Sequence, residues 1–227
     1  MEADGLITPT EDVSTVFQAD KLAAKYDELR QQFSSLRRVR GDGNCFYRAC
    51  CFAYLESILH DSRALQRFKD RIVCSAATLL LAGFEESSFK KHLNTLVHVV
   101  EQCQTDRQEA VLFQLFNDKK TSDSVVQFLR LLTSAHLQNH ADDFCNFVEA
   151  PSLQVYCRQE VEVMAMTCDH VDILALTQAL DFCIHIVSME AGGQKLLHHC
   201  VPEDGQPALH LLYQTSHYNI LYPKSPT

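Results

Sequence analysis

The chain has 227 residues, 46% of them apolar, and a formal net charge of −9. That is enough apolar matter for one packed domain, and the acidic balance argues against a nucleic-acid binder, which would carry a basic footprint. No stretch approaches the roughly 18 consecutive apolar residues of a membrane span. The start, "MEADGLITPTEDVSTVFQAD", has neither the basic nor the apolar region of a secretory signal.

The expected setting is therefore cytoplasmic, with the nucleus also compatible, and most of the ten cysteines should be free thiols there. No C-x-x-C pair occurs, so the usual spacing of a structural zinc site is missing. Two stretches invite a metal reading, "TCDH" (167–170) and "HHC" (198–200), but neither has ligands at a familiar interval. They read as a helix start and as an exposed strand or loop, and no metal or other cofactor is expected.

Residues 1–15 are acidic and polar and read as a flexible N-terminal arm; residues 16–227 read as one domain. Residues 20–35 place Leu22, Tyr26, Leu29 and Phe33 at helical spacing. "VRGDGNC" (39–45) is a turn, and Phe46 to about Leu59 reads as a buried helix. Further helices are expected over 64–82, 87–104 and 108–117. "SDSVVQFLRLLTSAHLQ" (122–138) opens on good N-cap residues. Short helices follow over 142–149 and 153–160, and Asp169 can cap "HVDILALTQALDF". The period then changes to two. "CIHIVSM" (183–189), "ALHLLYQ" (208–214) and "HYNILY" (217–222) read as strands, with loops over 191–193 and 202–207. The fold class is α+β: a helix-rich body packed on a small C-terminal β-sheet.

Chemistry concentrates at two places. Cys45 stands where a helix begins, and the unpaired N–H groups and dipole of a first turn favour a thiolate, the nucleophilic form. Gly41 and Gly43 let the backbone fold tightly, so that N–H groups of residues 42–45 can point at one spot as an oxyanion hole; Gly43 and Asn44 lie at its centre. A nucleophilic cysteine needs a base. Among eleven histidines, His217 is the candidate, because Asn219 lies on the same face of a strand and an amide there can fix the imidazole tautomer. Cys-His-Asn is a working combination in cysteine proteases. Read singly, Cys45 is a buried cysteine in a glycine-rich turn and His217 a satisfied strand histidine; together they point to catalysis. His185 reads as packed core, and His170, His198 and His199 lack an orienting amide or acid.

"GDGNCFYRA" with a distant "SHYNILY" resembles the ovarian tumour (OTU) class of deubiquitinating cysteine proteases. "AGFEE" (82–86), "DSVVQFLRLLTSA" (123–135), "EVEVMA" (160–165), "CDHVDILALTQAL" (168–180) and "LLYQTSHYNILY" (211–222) resemble its otubain branch. Similarity runs from about residue 20 to 222. The resemblance implies Cys45 as nucleophile, His217 as general base, Asn219 as its orienting residue and Asp42 as the loop aspartate that shapes the oxyanion site. It implies an OTU-type fold and hydrolysis of isopeptide bonds at the C-terminus of ubiquitin in chains or conjugates. Ubiquitin and polyubiquitin chains are the implied partners, with ubiquitin-conjugating enzymes a further one, and neither nucleic acid nor membrane. The alternative is a non-catalytic protein that binds ubiquitin or a ubiquitin-conjugating enzyme. Otubains usually carry a proline and a glutamate where this chain has Val163 and Thr167, which bears on the histidine's surroundings.

Overall fold

The computed structural model describes residues 5–16, 23–190 and 195–224. In chain order the elements are β1 (Glu11–Asp12), α1 (Val13–Val16), α2 (Ala23–Gln32), β2 (Phe33–Arg37), α3 (Cys45–Ile58), α4 (Ser62–Leu81), α5 (Glu86–Thr105), α6 (Glu109–Asn117), α7 (Lys119–Asn139), α8 (Ala141–Phe144), α9 (Leu153–Tyr156), α10 (His170–Leu180), β3 (Cys183–Ser188), β4 (Leu197–Val201), β5 (Pro207–Gln214) and β6 (His217–Pro223). The α+β layout and the helices read from the apolar period are present.

Local chemistry explains the helix limits. In α4 the Asp61 side chain accepts the N–H groups of Arg63 and Ala64, Leu65, Phe68, Ile72 and Leu79 form the buried stripe, and Gly83 follows the helix end with φ +89°, as a C-terminal glycine does. Asp169 and Asp172 form a reciprocal capping box at the start of α10. The central helix α7 is buried almost all round, with Val125, Val126, Phe128, Leu129 and Leu132 all inside, so its partners cover every face.

Six strands form one sheet in the order β1-β2-β6-β5-β3-β4, with β3 and β5 parallel and the other pairs antiparallel. Alternation sorts the side chains. Ile184, Ile186, Leu209, Leu211, Tyr218 and Ile220 enter the main core with α3 to α7 and α10. Val187, Leu212, Leu221 and Leu36 pack on the other side with Val13, Tyr26 and Leu29.

Several expectations change. The proposed loose arm is built into the domain from residue 5 onward. Leu6 and Ile7 are buried, their N–H groups donate to Asn117 Oδ1 at 2.8 and 3.1 Å, and Ile7 bridges Val39. Two apolar residues in a polar stretch suffice once a strand edge and the half-buried amide of Asn117 receive them. The helix expected over 20–35 stops at Gln32, residues 20–22 lie outside the described residues, and Phe33 opens β2, paired with β6. The helix expected from residue 122 begins at Lys119 under an Asp118 cap. The 153–160 segment tightens into α9 and then widens into a π-helical turn over Cys157–Val161. The sheet gains β1, β2 and β4. The loop expected over 191–193 lies outside the described residues. His185 is half-buried and wired to other imidazoles, His210 at 2.8 Å and His198 at 3.0 Å.

Ile7→Ala is expected to destabilise the protein by about 2–4 kcal/mol, the usual cost of truncating a fully buried aliphatic side chain. Urea unfolding measures it. An unchanged midpoint would mean that the segment is a loose arm after all.

Candidate active site

The site is built on the turn that feeds α3. Asp42 Oδ1 accepts the Asn44 N–H at 3.0 Å, and both carboxylate oxygens accept from Arg48 Nη1 at 3.0 Å. Arg48 is fully buried and also binds Ser122 Oγ and Asp123 at 2.9 Å. Burial pushes the Asp42 carboxyl up, but the Arg48 bonds outweigh it and its pKa falls below the ordinary value. Asp42 is thus a positioning residue that holds the turn.

That arrangement corrects the expected oxyanion hole. The Asn44 N–H is taken by Asp42, so of the four N–H groups of residues 42–45 those of Asp42, Gly43 and Cys45 remain. The Asn44 side chain does not cap α3. Its Oδ1 instead accepts the Ala165 N–H at 2.8 Å and Arg130 Nη2 at 2.9 Å. With no side-chain cap, the N–H groups of the first turn stay open toward the sulfur.

Gly43 has φ +77°, and a Cβ placed on it would lie 1.9 Å from the Ala165 carbonyl oxygen. Its missing side chain makes room for the facing loop. Gly41 differs: a Cβ there would sit 3.6 Å from His217 Nδ1, an ordinary contact, so Gly41 marks where the histidine meets the loop that leads to Cys45.

His217 and Asn219 alternate with the core residues Tyr218 and Ile220, and His217 Nε2 lies 3.1 Å from Asn219 Oδ1. The same oxygen accepts the Val39 N–H at 3.0 Å. A backbone N–H only donates, so the Asn219 atom facing it is the carbonyl oxygen. The imidazole nitrogen facing that oxygen must carry its proton. Nδ1 is then the basic nitrogen of the neutral ring, beside Gly41.

Cys45 opens into a cavity of about 60 Å³, lined also by Gly43, Thr167, Cys168 and the two chain neighbours of His217, Ser216 and Tyr218. Thr215 and Ser216 both have positive φ, 53° and 57°, which a two-residue hairpin turn demands and a β-branched threonine adopts with strain. In such a hairpin Gln214 and His217 exchange hydrogen bonds across the pair. The Tyr218 N–H therefore points away from β5, and it acts on the Cys45 sulfur.

Burial raises the Cys45 pKa, and the Asp42 charge adds to this. The N–H groups of Tyr218, Phe46 and Cys45 itself oppose it without prevailing. The resting thiolate expected from the helix start is therefore disfavoured: at 5% exposure, desolvation outweighs the dipole. Thr167 and Cys168 also line a groove of about 580 Å³ with Glu149, Glu160 and Asp169, which gives the cavity an acidic approach.

The residues that sequence reasoning missed are Arg48, Arg130 and the loop around Ala165. Arg130 had one signal, a charge inside an otherwise apolar helical run. Ala165, in the left-handed region at φ 68°, had none.

Two expectations follow from this geometry. Gly43→Ala must adopt a left-handed backbone and displace a carbonyl, at a cost of about 3 kcal/mol or more, while Gly41→Ala should leave stability within about 1 kcal/mol; thermal unfolding of both compares them. Because the Cys45 thiol is raised, its alkylation by iodoacetamide, mapped by peptide mass, should still be accelerating above about pH 9, past the ordinary thiol range. A plateau below neutral pH would reveal a preformed thiolate.

The sequence profile described as Peptidase C65 Otubain matches residues 3–223. The chain is 47% identical to ubiquitin thioesterase OTUB2 of Mus musculus over 87% of its own length and 85% of that protein's. It is 42% identical to ubiquitin thioesterase OTUB1 of Homo sapiens, over 87% of this chain and 74% of that one. Among solved structures it superposes with a TM-score of 0.90 on ceOTUB1 in a complex with ubiquitin aldehyde and UBC13~Ub, at 28% identity, covering 97% of this chain and 94% of that chain. With the profile spanning nearly the whole chain and the fold matching an otubain of known structure, the chain belongs to the Peptidase C65 otubain family.

Proposed function

We propose that this chain hydrolyses isopeptide bonds at the C-terminus of ubiquitin through a thioester on Cys45, with His217 as base and acid and Asn219 as the residue that orients it. Family membership makes the chain a cysteine-type deubiquitinase. The observation that carries the residue roles is the shared acceptor Asn219 Oδ1, which leaves His217 Nδ1 free to accept a proton beside the loop that bears Cys45.

In the free enzyme burial raises the pKa of the Cys45 thiol, which favours its protonated form. Substrate entering the cleft places the carbonyl of ubiquitin's terminal glycine over the sulfur. His217 Nδ1 takes the thiol proton as the C–S bond forms. The oxyanion is received by the N–H groups of Cys45 and Gly43. The imidazolium then gives its proton to the leaving lysine amine, and the neutral ring activates a water that hydrolyses the thioester, freeing the ubiquitin carboxylate and the thiol. The acidic groove beside Thr167 and Cys168 supplies a route by which an extended chain end reaches the sulfur.

A second reading, a holder of ubiquitin-conjugating enzymes, draws support from the similar ceOTUB1 structure, which contains UBC13~Ub. It does not compete for Cys45.

Ubiquitin bearing a C-terminal electrophile should form a covalent adduct on Cys45, located by peptide mapping; a folded protein that forms none, or forms it on another residue, would falsify the assignment. Cys45→Ala and His217→Ala should each lower kcat for polyubiquitin cleavage by more than about 10³-fold, and the double variant should be little worse than either. Asn219→Ala should cost less, roughly 10²-fold, because an untethered imidazole still reaches the thiol part of the time.

A further inference from the structure

We propose that Arg130 is a positioning residue for the acyl-transfer step. It locks the plane of the Gly43–Asn44 peptide, so that the Gly43 carbonyl stays turned into the protein and out of the oxyanion site. The inference rests on Cys45 being the nucleophile.

Arg130 is fully buried in the middle of α7, yet no carboxylate is among its hydrogen-bond partners in the described residues. Nη2 donates to Gly43 O at 3.0 Å, Asn44 Oδ1 at 2.9 Å and Met166 O at 2.6 Å, and Nη1 donates to Val161 O at 3.1 Å. The guanidinium lies over the Tyr47 ring, 4.6 Å from its centroid. Burying a charge on neutral carbonyls is an expensive way to stabilise a fold. The cost makes sense for what the fork reaches: the loop that bears Cys45 on one side and, on the other, the 161–166 segment that leads into Thr167 and Cys168 of the cavity wall.

The Gly43–Asn44 peptide is the part of the loop most in need of restraint. Glycine tolerates either hand of backbone conformation, so this plane can turn over at low steric cost. A turned plane would direct a carbonyl oxygen outward, toward the cleft that must receive an anion, and an acceptor there repels the oxyanion. The plane is pinned at both ends: its C=O by Arg130 and its N–H by Asp42. The Asp42 end is anchored in turn by Arg48. Nη2 by itself reaches both sides and Nη1 adds Val161 O, while Nε has no hydrogen-bond partner among the described residues; a lysine ammonium is a single nitrogen on a shorter stem and cannot occupy both Nη positions.

A merely structural arginine and a positioning one differ in which reaction they affect. Attack on a carbonyl creates an oxyanion. Alkylation of the same sulfur by iodoacetamide displaces iodide at a CH₂ carbon and creates none. Arg130→Lys is therefore expected to lower kcat on a ubiquitin–amide substrate by about 10²-fold, the usual effect of losing an oxyanion-hole donor. KM and the rate of Cys45 alkylation should stay near wild type. Asn44→Ala, which removes one Arg130 acceptor and the Ala165 tie while keeping the arginine, should show the same pattern at smaller amplitude, and it carries the test should Arg130→Lys not fold. Faster alkylation of the buried Cys50 and Cys51 would report unfolding. Loss of alkylation in parallel with kcat, a change confined to KM, or wild-type kcat in the folded variants would each overturn the proposal. Wild-type turnover in the same assay reports separately on the proposed function.

Discussion

One oxygen atom joins the two ends of the site. Asn219 Oδ1 receives the N–H of Val39 and the imidazole of His217, residues that stand 180 and two positions away in the chain. The main-chain donor admits only one orientation of the carboxamide, the carboxamide admits only one tautomer of the ring, and the tautomer decides which nitrogen is basic. The same bond ties the last strand of the sheet to the segment that turns into α3. The packing of residues 6–8 against 38–40 supports that segment from its other side.

The turn that follows is held by two buried arginines with different electrostatics. Arg48 bridges two carboxylates, Asp42 and Asp123, and its charge is matched. Arg130 holds carbonyls and a carboxamide, and its partners lie on separate loops. The first fixes the turn to the helical body; the second fixes the two loops to each other. Cys45 is consequently held in a rigid, nearly dry corner. Burial there raises the pKa of the Cys45 thiol, so a helix start alone does not favour the thiolate.

Much of this is legible in the residues. The apolar period locates α3, α4, α5, α6 and α10, since each has its own stripe and start or stop signal. Strand alternation by itself pairs His217 with Asn219. What escapes depends on partners far away in the chain. "FSSLR" (33–37) is too polar for a strand by itself and becomes one because β6 pairs with it. Phe33 continues the helical spacing of Tyr26 and Leu29, so periodicity carries the helix one turn too far. Ser122 and Asp123 look like the caps of α7, but they bind Arg48, and Asp118 performs the capping. The Asn44 N–H, expected to face the substrate, is claimed instead by the nearby Asp42 carboxylate, a competition that spacing does not reveal.

The order of strands has a further bearing on the behaviour of the molecule in concentrated solution. One rim of the sheet is β1, two residues long, too short to template another chain. The opposite rim is β4, where His198 and His199 are exposed alongside Leu197, and exposed polar groups discourage edge-to-edge growth. The long apolar strands β5, β6 and β3 lie inside the sheet, flanked on both sides. The stretches with the greatest intrinsic tendency to self-associate are therefore shielded by the least inviting ones, and colloidal stability is a property of the topology as much as of the net negative charge.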